Sequence, residues 1–327
     1  LSCNDYSRKF FKEKIKKDND KLNRESNYKK YMSHSRKNCN RYIIVGHQRS
    51  GTTITHLALK GHPNVSAVND EVKISPLFTQ GIATFTVSKD SYLTLKEKEE
   101  NFSAIFDAIT RIEADENTMA AGLKIATTSP KDAASLVKCL QTYLQDLTVI
   151  WTIREDLIAQ YGSSLRLSAT GQSHSWRKNQ IKNEFSVEIP REQFIKYAIK
   201  SLKTSEEIKK LETTHKVIKV FYEKDILPNT LEVYYNLFEV LGLPQLEIKW
   251  LNSQKIAPSP EKYIINYSEL REISEEIKNG NSDLLKFIEI QNDQQELEGI
   301  ASWLDKIKSK KNKIKNKLKR IQAILKE

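Results

Sequence analysis

Cysteine is scarce in this chain: three in 327 residues, Cys3, Cys39 and Cys139. They are too few and too scattered for a disulfide framework or a zinc site. That scarcity favours a reducing compartment, and Cys139, inside an amphipathic helical pattern, reads as a core residue. Long apolar runs are missing too. No stretch approaches the roughly 18 residues of a membrane-spanning helix, and no signal peptide is legible. The chain begins at Leu1 without a Met, which reads as a trimmed or processed end with room for an upstream anchor or domain. No His, Cys and carboxylate cluster has metal-ligand spacing, and no RNA- or DNA-reading motif stands out. Positive charge is in excess: 53 Lys and Arg against 42 Asp and Glu give a formal net charge of +11, much of it at the two ends. Such a balance suits an anionic ligand, nucleic acid or an acidic membrane surface without choosing among them.

Hydrophobic residues at 39% leave enough for a sizeable core. Residues 1–40 are rich in Lys and Asn with few apolar positions, and read as a basic helical or flexible arm. Residues 41–279 read as the folded domain. From 280 to 327 the chain is a Lys-rich amphipathic helical tail. There Ile300, Leu304, Ile307, Ile314, Leu318, Ile321 and Leu325 form a seam broken once, by Lys311, suited to packing on the same chain or a partner subunit, with peripheral contact to a membrane or nucleic acid as the alternative.

Between the ends, strand and helix signals alternate. Tyr42–Val45 and Val65–Val68 read as short strands, and 93–116 as a helix through Phe102, Ile105, Phe106, Ile109 and Ile112. A strand follows at Ala120–Ala126. Ser129 caps a helix with Pro130 at its first position, running to about Gln145. Leu147–Ile153 is a strand, Asp156 to about Ser168 a helix stopping at Gly171, and Pro190 to about Thr213 a long helix. Val217–Tyr222 is a strand, and Asn229–Leu241 a helix closed by Gly242 and Pro244. This order predicts an α/β fold: a P-loop-like three-layer domain with a central, mostly parallel sheet. Ligands of such sheets bind beyond the carboxyl ends of the strands.

One stretch organises the rest: Tyr42–Thr53, YIIVGHQRSGTT. An apolar β-branched run leads into a loop bracketed by Gly46 and Gly51, and Thr52 and Thr53 open a helix. Strand, glycine-bracketed loop and helix start make a cradle for an anion. The spacing is that of a Walker A loop, except that Thr52 stands at the lysine position and the cation, Arg49, lies within the loop. A second constellation is Arg154 at the end of a strand, followed by Asp156, Gln160, Ser163 and Ser164 on the next helix. A cation and a hydroxyl there could hold one phosphate from two sides. A third is HPNVSAVNDEVKISP, residues 62–76, where Asp70 and Glu71 precede Lys73.

These motifs resemble those of the sulfotransferase family. The RSGTT loop, the HP dipeptide thirteen residues beyond its Arg, and the R-x-D-x-x-x-Q-x-x-S pattern are similar to trehalose-type and tyrosylprotein-type enzymes. The resemblance covers about 41–275 and implies a transferase that uses 3′-phosphoadenosine-5′-phosphosulfate (PAPS) as co-substrate, with no metal. It implies that Gly46, Gln48, Arg49, Ser50, Gly51, Thr52 and Thr53 hold the 5′-phosphosulfate. Arg154 and Ser163, with Ser164 as the alternative, would hold the 3′-phosphate. Glu71, or Asp70, would be the general base, while Arg49 and Lys124 offset charge on the transferring group. VFYEKDIL, with Pro228 and FEVLGLP beyond it, makes Tyr222 a candidate adenine contact. NSQKIAPSP with NYSEL resembles a cofactor loop, making Lys255, with Ser253, a candidate contact to the 3′-phosphate. The acceptor would bear a hydroxyl, on a carbohydrate or other alcohol more readily than a protein tyrosine, and His174 and Trp176 could line its cleft. Nucleic acid is not an expected partner. Localisation would be cytoplasmic for a bacterial enzyme and Golgi-luminal for a eukaryotic one. The competing readings are a P-loop kinase or NTPase, which the missing Walker lysine disfavours, and a non-catalytic basic binding protein.

Overall fold

The computed structural model describes residues 39–67, 114–170, 185–228, 231–246 and 259–279. It also gives the strands Val72–Ser75, Ile82–Val87 and Leu93–Lys98, and the helical residues Ser103, Phe106, Asp107 and Thr110. The first of two units spans Leu1–Glu184 and Ser201–Pro258. At its centre lies a five-stranded sheet. Its strands are β1 (Asn40–His47), β2 (Val65–Ala67), β6 (Ala120–Thr127), β7 (Thr148–Ile153) and β8 (Lys216–Phe221), in the order β2-β6-β1-β7-β8. Every pairing in it is parallel.

The two-residue period of a strand divides β1 between two cores. Ile43 and Val45 join Leu123, Ile125, Val149 and Trp151 under α2 (Pro130–Tyr143), which contributes Ala133, Leu136, Val137, Cys139 and Leu140. Tyr42 and Ile44 join Ile150 and Val220 on the other face. Ala58 and Leu59 of α1 (Thr52–Lys60) and Tyr234, Leu237 and Phe238 of α5 (Glu232–Val240) cover that face. This is the three-layer arrangement the alternation predicts, and Cys139 is a core residue as expected. Because the three central strands β6, β1 and β7 are buried on both faces, they read as near-continuous apolar runs rather than alternation.

Local signals set the helix ends. Ser129 accepts the Asp132 N–H at 3.2 Å, with Pro130 at the first position of α2. Asp156 Oδ1 accepts the Ala159 N–H at 2.8 Å, opening α3 (Leu157–Thr170). The long helix is α4 (Arg191–Lys209), which tightens into a 3₁₀ turn over Lys210–Thr213. Gly242, at φ 66°, follows α5 as the sequence suggests.

The region 72–98 differs from expectation. β3 (Val72–Ser75), β4 (Ile82–Val87) and β5 (Leu93–Lys98) form a separate antiparallel sheet. The helix expected from residue 93 therefore gives way at its start to a strand. Leu93 and Leu95 alternate with polar residues at period two, and strand pairing to Val87 and Phe85 outweighs the helical spacing that begins only at Phe102. Farther on, Thr110 Oγ1 donates to the Phe106 carbonyl at 2.8 Å, an i to i−4 contact within a helix.

The second unit comprises Phe185–Lys200 and Ser259–Glu327. Asn266 fastens it from both sides of its amide: Oδ1 accepts the Ile189 N–H at 3.0 Å and Nδ2 donates to the Ile189 carbonyl at 2.9 Å. Val187 pairs in parallel with Ile264. NYSEL, expected as a cofactor loop, instead opens a helix, α6 (Tyr267–Lys278), which turns Leu270, Ile273 and Ile277 to one buried face. Of the arm expected over 1–40, residues 1–38 lie outside the described residues and Asn40 opens β1 instead; the tail 280–327 also lies outside them.

Candidate active site

The loop between β1 and α1 sits at the carboxyl end of the central strand, with β6 and β7 on either side. Its shape follows from close contacts. A Cβ on Gly46 would overlap Thr152 Oγ1 and come within 2.6 Å of Ser50 Oγ. Those two hydroxyls share a hydrogen bond of 2.8 Å, so β7 pins the loop where a side chain at Gly46 would intrude. Gly51 has φ 99°, and a Cβ there would lie 2.6 Å from Ile226 Cδ1. Between them Arg49 takes φ 66°, a conformation costing a bulky residue about 1–3 kcal/mol. The N-cap of α1 is Gly51 itself, with no side-chain cap. The first-turn N–H groups, which have no intrahelical acceptor in any helix, thus receive no side-chain cap from Gly51.

The second constellation meets the first. Arg154 Nη1 donates to the Arg49 carbonyl at 3.1 Å. Arg49 Nε donates to Ser163 Oγ at 2.9 Å. Gln160, 1% exposed, donates through Nε2 to the Gln48 carbonyl at 2.8 Å and contacts His47 Nδ1 at 3.1 Å. Residues 160 and 163 share a face of α3, and that face holds consecutive residues of the loop. Ser201 Oγ donates to Gln160 Oε1 at 3.3 Å and helps fix the amide. Gln160 had no role in the sequence reading beyond its place in the pattern. Thr152 had none at all, since a threonine inside an apolar strand carries no signal until the neighbouring strand is known.

Tyr222 begins a π-helical turn, Tyr222–Ile226, at the end of β8. The Arg154 guanidinium lies 4.4 Å over its ring, and the edge of that ring comes within 3.0 Å of a Cβ placed on Gly51. Glu223 accepts the N–H groups of Glu155 and Asp156 at 3.0 and 3.3 Å and lies 3.6 Å from Arg154 Nε. Lys124, 8% exposed, lies within β6 rather than at its end, and its Nζ donates to Thr53 Oγ1 at 3.0 Å. Three cations, the hydroxyls of Thr53 and Ser163, and a first turn with no side-chain cap thus gather at one sheet end.

His62 of the HP dipeptide is structural. Its Nδ1 accepts the Asn64 N–H at 3.1 Å, so Nε2 carries the proton and donates to the Pro244 carbonyl at 3.0 Å. Asp70, Glu71, His174, Trp176, Ser253 and Lys255 lie outside the described residues, and Lys73 is described as a position in β3. Among the described residues no group of three or more His, Cys, Asp or Glu could hold a metal ion, and no helix is long and apolar enough to cross a membrane.

The sequence profile described as "Sulfotransferase family" matches residues 42–247, well over half of the chain and all of the loop and its brace. The chain belongs to the sulfotransferase family. No curated protein matches this sulfotransferase in sequence. A sulfotransferase from Alicyclobacillus acidocaldarius, known from its crystal structure, is similar at 14% identity. The match covers 68% of this chain and 88% of that one, with a TM-score of 0.40. The assignment rests on the family match, not on that likeness. Family membership implies transfer of a sulfuryl group and gives the Thr52 departure its meaning: this loop is not the Walker loop of a kinase.

Proposed function

We propose that this sulfotransferase uses PAPS as donor and a hydroxyl as acceptor. The observation that supports this most is the convergence of Arg154 and Ser163 on the Gly46–Thr53 loop, two anion-holding groups at one sheet end. The residues fit a nucleotide with a phosphate at each of two positions. The loop and the uncapped first turn of α1 would hold the 5′ end, and Arg154 with Ser163 the 3′-phosphate. Tyr222, whose ring lies under the Arg154 guanidinium, would meet the adenine base. When bound, PAPS supplies the sulfuryl group. The acceptor oxygen gains the bond to sulfur, the bond to the 5′-phosphate oxygen breaks, and its electron pair leaves with the bisphosphate product. Lys124, fixed by Thr53, places positive charge beside the loop, where it lowers the cost of charge gathering on the leaving oxygen. The acceptor proton goes to a carboxylate, for which we propose Glu71. The acceptor class is a carbohydrate or other alcohol.

Thermal-shift and calorimetric titration of adenosine 3′,5′-bisphosphate against ATP with Mg²⁺ tests the donor. The bisphosphate should stabilise and bind more tightly, and preference for ATP would overturn the reading. Glu71→Gln should keep bisphosphate affinity and cut turnover by about 10²–10⁴-fold. Turnover at the wild-type level would place the base elsewhere.

A further inference from the structure

Ser50 is the buried centre of the loop, at 1% exposure. It stands between two residues in the left-handed region, Arg49 at φ 66° and Gly51 at φ 99°. A non-glycine residue such as Arg49 keeps that conformation only where its surroundings over-determine it. Ser50, next to it, is held in two ways. Its N–H donates to the His47 carbonyl at 3.2 Å, a bond within the loop itself. Its hydroxyl lies 2.8 Å from Thr152 Oγ1, on the neighbouring strand β7. Thr152 Oγ1 in turn donates to the Val45 carbonyl at 3.4 Å. A threonine hydroxyl has one hydrogen, so Ser50 is the donor in the shorter bond. Thr152, itself 1% exposed, therefore accepts from the loop and donates to the strand that leads into it.

We infer that Thr152 is a positioning residue for the 5′-phosphate subsite, acting through Ser50. Gln48 gives its N–H to the Thr127 carbonyl at 3.0 Å and Ser50 gives its own to His47, so both belong to the frame of the loop. The N–H groups of Gly51, Thr52 and Thr53, at the head of α1, are those that meet the anion. Their place depends on where the chain leaves Ser50. Without the Thr152 hydroxyl, the His47 bond still holds Ser50 to its own loop, but the tie to β7 is gone. The turn from Arg49 to Gly51 is then free to relax away from the shape that suits a phosphate. Thr152 touches no substrate atom and works only through the loop that does. This inference rests on the reading above that the loop holds the 5′ end of the donor, and adds the residue that fixes its shape.

The test compares wild type, Thr152→Ala and Thr152→Ser for binding of adenosine 3′,5′-bisphosphate, adenosine 5′-phosphate and adenosine 3′-phosphate, by calorimetry with displacement for the weaker ligands. Serine keeps the hydroxyl and drops the methyl, while alanine drops both. Thr152→Ala should lose about three- to tenfold in affinity for the two nucleotides that carry a 5′-phosphate, the span of one net hydrogen bond. Its affinity for the 3′-phosphate should change less than about twofold, and Thr152→Ser should bind all three within about twofold of wild type. A merely structural role would lower the urea midpoint and leave the ratio of the three affinities unchanged, and that result overturns the inference. So does wild-type affinity in Thr152→Ala, or an equal loss in Thr152→Ser, which would assign the effect to the methyl. Should Thr152→Ala fail to fold, Thr152→Val, which fills the same space without the hydroxyl, carries the comparison with the same outcomes. Ser50→Ala combined with Thr152→Ala should lose little more than either alone, and fully additive losses would show that Thr152 does not act through Ser50. A wild-type protein that does not prefer the bisphosphate to the 5′-monophosphate would instead sink the 3′-phosphate half of the donor assignment, a separate outcome that leaves the Thr152 comparison readable.

Discussion

Gln160 is an amide whose every bond is spent on shape. Both Nε2 contacts go to the loop, to the Gln48 carbonyl and to His47, and its Oε1 accepts from Ser201. A residue of similar volume without these atoms leaves a buried carbonyl unsatisfied, at about 1–3 kcal/mol. Gln160→Leu is therefore expected to lower unfolding stability by that order in urea denaturation. It should also weaken the bisphosphate and the 5′-monophosphate alike, because it loosens the loop rather than one subsite. Selective loss of one nucleotide would assign Gln160 a direct contact instead. Gly51 shows the opposite logic at the same scale. It contributes by lacking atoms, both because φ 99° disfavours a side chain and because Ile226 and Tyr222 already occupy the space.

At the scale of elements, the π-helical turn Tyr222–Ile226 connects the parts of the site. It is set by the Leu227 N–H donating to the Tyr222 carbonyl at 2.7 Å and by Asp225 accepting the Phe221 N–H at 2.6 Å. π turns often sit at functional sites. This one sends Tyr222 and Ile226 to the loop and Glu223 to the start of α3. Glu223 caps two N–H groups there, in the manner of an N-cap supplied from another element. Glu223→Ala should lower stability by about 0.5–2 kcal/mol, and Glu223→Gln, which keeps an acceptor oxygen, should recover most of it. Equal denaturation midpoints for the alanine variant and wild type would show that the cap contributes nothing.

At the scale of the molecule, two cores clamp one sheet, and each side resists charge. Burial, with a smaller effect of Cys39, pushes the Tyr42 phenol far above its ordinary range, and burial with the neighbouring Tyr222 pushes Tyr234 up to about 12. An acid whose pKa is raised by folding stabilises the fold below its unfolded value, near 10, and loses that contribution as pH rises beyond it. Stability should be level to about pH 9, then fall above pH 10, through about 12 for Tyr234, by about 1.4 kcal/mol per pH unit for each phenol. The Tyr42 hydroxyl is buried without a hydrogen-bond partner. Tyr42→Phe should therefore unfold at a higher midpoint than wild type, with the gap widening above pH 10. Urea midpoints at pH 8, 10 and 11 check this, and a gap independent of pH would mean Tyr42 ionises freely in the fold.

The alternation of the central strands with helices, the three layers and the position of the glycine-bracketed loop between β1 and α1 were legible in the sequence. They depend on local quantities: short continuous apolar runs, Ser129-Pro130 at a helix start, and two glycines spaced about a tight turn. Residues 93–98 were misread because a short segment can satisfy both periods, and only the partner strand decides between them. The sequence also grouped Arg154, Gln160 and Ser163 by spacing, since positions three apart share a helical face. What it could not contain is the distance between that face and the loop more than a hundred residues earlier. Only the parallel pairing of β1 with β7 sets it. The meeting of Arg49 with Ser163, and of Thr152 with Ser50, is a property of that register, because contact energies fall away within a few ångströms and a shift of one residue along the sheet would break them.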